Sequence, residues 1–260
     1  MRFHFTASDK PMTQQRLTEL VATYGQNPIE SCDVIVALGG DGKMLKTLKA
    51  SVNVKRSDNS LENIPVYGMN CGTVGFLMNT YHQDDLIDCI NHAEQTIIHP
   101  LSMTTRTIHG DVHHAHGINE VSISRESHQA VKCSISIDGI QRLPEMVGDG
   151  LIISTPAGST AYNLSAHGPI IPLGSDVLAM TPVSAFRPRR WRGAILPQSS
   201  EVHLTMIEPE FRPASAAADG TEVRDVTEVT IKMDNSISYT ILSDPGQGLA
   251  ERAMQEQFLF

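Results

Sequence analysis

An aspartate set among glycines, Gly39-Gly40-Asp41-Gly42, follows directly on the apolar run Val34-Ile35-Val36-Ala37-Leu38. At the end of a strand and the start of a helix, such residues suit phosphate chemistry. Glycines let a phosphate come close to the backbone, and the free N–H groups of a helix N-terminus face the anion. Asp41 can then take a proton from an attacking hydroxyl or help hold a magnesium ion. The plainer alternative is a tight turn whose Asp caps the helix. A second rich segment runs from Gly148 to Ser165, a strand leading into Ser154-Thr155-Pro156-Ala157-Gly158-Ser159-Thr160-Ala161-Tyr162. Small hydroxyl and glycine residues make poor core. They offer backbone groups and hydroxyls for recognising a base and a ribose, with Tyr162 as a flat surface for a ring. Its alternative is a Ser/Thr-rich turn with Tyr162 in the core.

Three other chemistries fail on the same residues. A Walker A loop needs Gly at 37 and Ser or Thr at 44, where Ala37 and Met44 stand. The dinucleotide fingerprint fails at Leu45, and Ser159 has Gly158 beside it where a hydrolase elbow needs a spacer. His109, His113, His114 and His116 fit a solvated hairpin better than a zinc site, because alternate strand residues point to opposite faces.

Composition narrows the setting. With 20 basic against 29 acidic residues the net charge is -9, so the footprint of a nucleic-acid binder is lacking and any anionic ligand must be held locally. Cys32, Cys71, Cys89 and Cys133 form no C-x-x-C pair, as expected of reduced thiols. No signal-like or membrane-spanning apolar segment stands out, and a cytoplasmic protein without membrane or nucleic-acid partners is expected.

The elements that must position these residues change character along the chain. Residues 2–7 suit a strand, and Ser8 or Asp9 suits the cap of a helix from Lys10 to Tyr24. The runs at 34–38 and 64–69, each followed by a glycine turn and a helical stretch, read as β-α units of a parallel sheet. From about His99 short alternating runs take over, with Asp138-Gly139 and Asp219-Gly220 as turns, as in a β-rich domain. The expected organisation is an α/β N-terminal domain over 1–100 carrying the G-G-D-G loop and a β-rich C-terminal domain over 101–246. A segment over 247–260 holds a helix that packs back on the first domain.

Taken in order, these segments resemble the NAD kinase family. The resemblance is carried by Gly39-Gly40-Asp41-Gly42, Asn70-x-Gly72-Thr73-x-Gly75-Phe76-Leu77, Asn119-Glu120-Val121, Asp149-Gly150 through Tyr162, Gly168-Pro169, Phe186-Arg187-Pro188 and Asp219-Gly220. It implies a phosphotransferase that moves a phosphoryl group from ATP or polyphosphate, with Mg2+, onto the 2′-hydroxyl of the adenosine ribose of NAD. A homodimer or homotetramer is also implied. Carried over by residue, the resemblance makes Asp41 the catalytic base, flanked by Gly40 and Gly42. Asn119 and Glu120 bond the adenosine, Thr160, Ala161, Tyr162 and Ser165 line the adenine pocket, and Phe76 is an apolar pocket residue. Asp149 is a carboxylate near the nicotinamide half or a second nucleotide site. Two positions depart from the family pattern: Lys43, where a neutral residue is commoner, and His167, where glycine is.

Overall fold

The computed structural model describes residues 1–72 and 75–258, so Thr73 of the Asn70–Leu77 stretch lies outside the described residues. The chain forms two units, Met1–Ile98 with Ser236–Phe260, and His99–Asn235.

The first unit begins β1 (Phe3–Ala7), α1 (Pro11–Tyr24), β2 (Val34–Gly39) and α2 (Asp41–Ala50). It continues with the short pair β3 (Val54–Lys55) and β4 (Leu61–Glu62), then β5 (Val66–Asn70), α3 (Leu86–Asn91) and β6 (Glu94–Ile98). It is completed by the returning β19 (Tyr239–Ser243) and α5 (Leu249–Glu256). The sheet order is β1-β2-β5-β19-β6, parallel except for β6. Every residue of β2 is buried, as a parallel strand covered on both faces requires, which is why it reads as an unbroken apolar run. Phe3, Phe5, Leu20, Val36, Leu38, Tyr67, Met69 and Leu86 pack together as part of this unit's core. The return begins at Ser236, earlier than the segment expected from 247. The reason is that β19 supplies the strand between β5 and β6, a pairing partner invisible to local pattern.

Two local expectations shift. Neither Ser8 nor Asp9 caps α1: Lys10 is the N-cap residue without a side-chain bond, and Pro11 opens the helix, where its missing N–H costs nothing. Ser8 Oγ instead donates to Thr13 Oγ1 at 3.3 Å. The second helix starts at Asp41, so the aspartate belongs to its first turn.

The second unit contains β7 (Leu101–Thr107), β8 (Val112–Gly117), β9 (Glu120–Arg125), β10 (Val131–Ile137), β11 (Ile140–Gly148) and β12 (Gly150–Ser154). A 3-10 turn (Ala157–Thr160) and the short α4 (Tyr162–Ser165) follow. Then come β13 (Val177–Val183), β14 (Ala194–Pro197), β15 (Val202–Met206), β16 (Ala214–Ala218), β17 (Thr221–Val223) and β18 (Val226–Met233). They make two antiparallel sheets, β11-β10-β15-β18-β7-β8 and β14-β13-β12-β9-β16-β17. The alternately buried residues of β7, β10 and β15 share one core with Val121, Ile123, Leu151, Ile153 and Met180 of the other sheet. Period-two burial on facing sheets is what the alternating texture demands. Asp138 and Gly139, both at positive φ, close the β10–β11 hairpin. Similarly, β7 and β8 form the histidine-bearing hairpin. There His114 Nδ1 lies 3.0 Å from Thr104 Oγ1, and His116 Nε2 lies 3.1 Å from Asp234.

Candidate active site

At the carboxyl end of β2 the chain turns through Gly40, the N-cap of α2, into Asp41. This is the edge at which parallel α/β sheets bind ligands. Asp41 does not cap its own helix. Its Oδ2 accepts the Phe76 N–H at 2.8 Å and its Oδ1 the Leu77 N–H at 2.9 Å, so the carboxylate ties α2 to the stretch after β5. That stretch is held in turn by the half-buried Arg252 of α5, which donates to the carbonyl oxygen of Phe76 at 2.8 Å and to Asn79 Oδ1 at 3.3 Å. Asn79 reaches β19, donating to Leu242 O at 3.0 Å and accepting the Asp244 N–H at 3.0 Å. Burial lowers the Arg252 guanidinium from its usual value, against the opposing pull of Asp244 and Asp41. Arg252, Asn79 and Asp244 thus position the aspartate. Local sequence gives no signal for them, since Arg252 and Phe76 are 176 residues apart.

Among the described residues, nothing packs so close to Gly40 or Gly42 as to require glycine there. A Cβ at either would meet nothing within 4 Å, and Gly40 has φ -129, a conformation open to any residue. A glycine in a helix's first turn forgoes roughly 0.5–1 kcal/mol against alanine. Open space at that cost is what a closely approaching ligand would use. Lys43 turns away from this space and donates from Nζ to Thr6 Oγ1 at 2.6 Å, its pKa lowered by burial. Phe76 is half-buried.

In the second unit the turn after β12 is pressed against the residues preceding β9. A Cβ on Gly158 would stand 2.0 Å from the carbonyl oxygen of Asn119, so glycine is obligatory there. Thr155 N–H bonds that same carbonyl at 3.0 Å, while Asp219 accepts the N–H groups of Ile118 and Asn119 at 2.8 and 3.0 Å. Below the turn the wholly buried Asn163 donates to Ser159 O and Pro169 O and accepts from Thr181 Oγ1 at 2.7 Å. This hub was not anticipated, though the small Gly168 packed against it was a visible hint. His167 has φ 63, the left-handed region that favours glycine, a backbone in accord with the glycine that the family resemblance implies there.

Among the described residues, two buried side-chain oxygens of this scaffold have no partner: Asn119 Oδ1 and Glu120 Oε2. Leaving a buried polar atom unpaired costs about 1–3 kcal/mol, so each is an open request for a hydrogen-bond partner. The Glu120 carboxyl is pushed up to about 7, first by burial and then by neighbouring Asp219, against the Tyr162 N–H that bonds it. Tyr162 itself is 40% exposed, so it is not a core residue. Thr160 and Ala161 are half-buried and Ser165 is exposed in the same turn. Asp149 stands apart. It precedes Gly150, which pairs with Ser124, whereas Glu120 pairs with Ser154 at the other end of β12, about 13 Å along the strand. Its carboxylate pairs with Arg125 at 2.7 Å.

The folded chain retains the Glu120 proton up to about pH 7, whereas the unfolded chain releases it near 4.5. The folded state therefore binds more protons in that window, and stability is expected to fall as pH rises through it. Glu120→Gln is expected to flatten this slope. Melting temperatures of both proteins across the window check it, and parallel curves would refute the assignment.

A parallel α/β unit with a glycine-flanked carboxylate and a β-sandwich with unpaired buried oxygens beside an exposed tyrosine offer the groups that a small-molecule kinase needs. The ATP-NAD kinase N-terminal domain matches residues 2–97 and the ATP-NAD kinase C-terminal domain residues 118–237. The NAD kinase of Cereibacter sphaeroides is 50% identical over 258 residues, covering 99% of this chain and 98% of the relative. That of Caulobacter vibrioides is 51% identical over 257 residues, covering 99% and 96%. Among solved structures, yeast NADH kinase complexed with NADH superposes with a TM-score of 0.83 at 20% identity, over 98% of this chain and 86% of that one. An NAD kinase from Archaeoglobus fulgidus in complex with ATP gives 0.72 at 22% identity, over 95% of each chain. The chain belongs to the NAD kinase family and is a phosphotransferase.

Proposed function

We propose that this protein moves the γ-phosphoryl group of ATP, or a terminal phosphoryl of polyphosphate, onto the 2′-hydroxyl of the adenosine ribose of NAD, giving NADP. The observation that carries the reading is the pair of partnerless buried acceptors, Asn119 Oδ1 and Glu120 Oε2, beside the exposed Tyr162. A nucleoside offers what they lack, hydroxyls that donate and accept and an amine that donates, together with a ring to stack on Tyr162. Thr160, Ala161 and Ser165 complete the adenosine contacts. Phe76 adds apolar surface, and Asp149 with Arg125 serves the part of the ligand beyond the adenosine.

In the reaction the ribose oxygen attacks the γ-phosphorus, the bond to the bridging oxygen of ADP breaks, and the hydroxyl proton passes to Asp41. Glycines 40 and 42 leave the donor phosphates room at the N-terminus of α2. The two Asp41 oxygens each keep a lone pair after accepting one N–H, which fits a hard cation. Magnesium held there with the phosphates would supply charge neutralisation.

The enzyme is proposed to work in the cytoplasm as a homodimer or homotetramer. All four cysteines are free thiols, which suits a reducing compartment. No helix among the described residues is long and apolar enough to cross a membrane.

The purified protein with Mg2+, NAD and each donor in turn is expected to form NADP. Tyr162→Ala is expected to fold normally and weaken NAD binding by about 1–3 kcal/mol, the worth of one stacked ring. No NADP with any donor would overturn the proposal, and unchanged NAD affinity in the variant would remove Tyr162 from it.

A further inference from the structure

Three side chains of the first unit converge from separate places: His82 after Asn79, Cys89 on α3, and Asp244 just past β19. One ligand atom from each, a ring nitrogen, the sulfur and a carboxylate oxygen, lies within 4.8 Å of the others. His82 Nε2 stands 3.4 Å from Asp244 Oδ2, long for a hydrogen bond. It is, however, the spacing that tetrahedral bonds of about 2.0–2.1 Å impose on two ligands of one ion.

The surroundings favour the same use. Asp244 Oδ1 accepts the hydroxyl of buried Tyr67 at 2.5 Å, which orients the carboxylate and leaves Oδ2 to the cluster, as an outer partner does for a metal ligand. The carboxylates of Asp244, Asp85 and Asp88 surround Cys89 with negative charge, a field that draws in a cation. With side-chain exposures of 40% for His82 and 13% for Asp244, an ion and a water have a way in.

We propose that His82, Cys89 and Asp244 form a binding site for a transition-metal dication, zinc fitting best, with water in the fourth position. The ion takes lone pairs from the imidazole and the carboxylate, while Cys89 gives its proton to the buffer and binds as thiolate. No electron changes hands. Mixed sulfur, nitrogen and oxygen donors select against magnesium, which takes oxygen in octahedral geometry, so this site is separate from the phosphoryl-transfer cation. Occupancy ties α3 to the end of β19, one hydrogen bond from Asn79 and the Arg252 clamp.

The test is titration of the metal-stripped full-length protein with Co2+ as a spectroscopic substitute for zinc. One equivalent is expected to raise a thiolate-to-cobalt charge-transfer band that one equivalent of Zn2+ abolishes and excess Mg2+ leaves alone. Cys89→Ser is expected to lose the band. His82→Ala, at a partly exposed position that leaves the fold intact, is expected to weaken binding at least about tenfold. Absence of the band overturns the site, as does zinc affinity that is the same in wild type and both variants.

Discussion

Asp41→Asn is expected to lower kcat about 10²–10⁴-fold, the usual loss with a general base, equivalent to roughly 3–5 kcal/mol of barrier. The carboxylate accepts two backbone N–H groups, from Phe76 and Leu77. Asparagine offers one oxygen and turns its NH2 toward the other donor. One N–H is left unpaired, which costs about 1–3 kcal/mol, so the melting temperature is expected to drop by several degrees while the chain stays folded. NAD affinity is expected to hold, because the adenosine contacts proposed for Asn119, Glu120 and Tyr162 lie in the other unit. Steady-state kinetics, a thermal melt and an NAD titration on the one variant separate the roles. If kcat stays within about tenfold while the melting temperature falls, Asp41 anchors the loop and is not the base.

Gly40→Val is expected to reduce kcat/KM for the phosphoryl donor about 10²-fold, some 2.7 kcal/mol, with little change in stability. Valine suits the extended φ -129 of this residue, and its Cβ meets no protein atom within 4 Å. Only the lost helix-cap preference acts on folding, about 1 kcal/mol at most. The branched side chain instead fills the open space over the N-terminus of α2 where phosphate is proposed to approach. Wild-type kcat/KM for the donor in a normally melting variant would show that the space serves no phosphate.

These two positions show how far sequence reading goes. That Asp41 sits between a buried parallel strand and a helix follows from Val34–Leu38 being apolar without a break and ending in glycines. The alternation in 131–137 likewise announced a half-buried strand, and Asp138-Gly139 its turn. Tyr162 was offered as a ring surface by its own segment, whereas Asn119 and Glu120 were legible only through the family resemblance. What the aspartate touches was not legible, and the cap reading of Asp41 gave way to a bond across the fold.

Local pattern determined the elements, the two-part organisation and the residue types offered for chemistry, because helix and strand periods and turn conformations are set by neighbours a few residues apart. Tertiary structure alone decided that Arg252 clamps the loop held by Asp41 and that β19 completes the first sheet. It also decided that Asp149 stands a strand's length from Glu120, and that Asn119 Oδ1 and Glu120 Oε2 are buried without partners. Burial and hydrogen-bond satisfaction depend on which distant segments close over a residue, and that is fixed only when the whole chain packs.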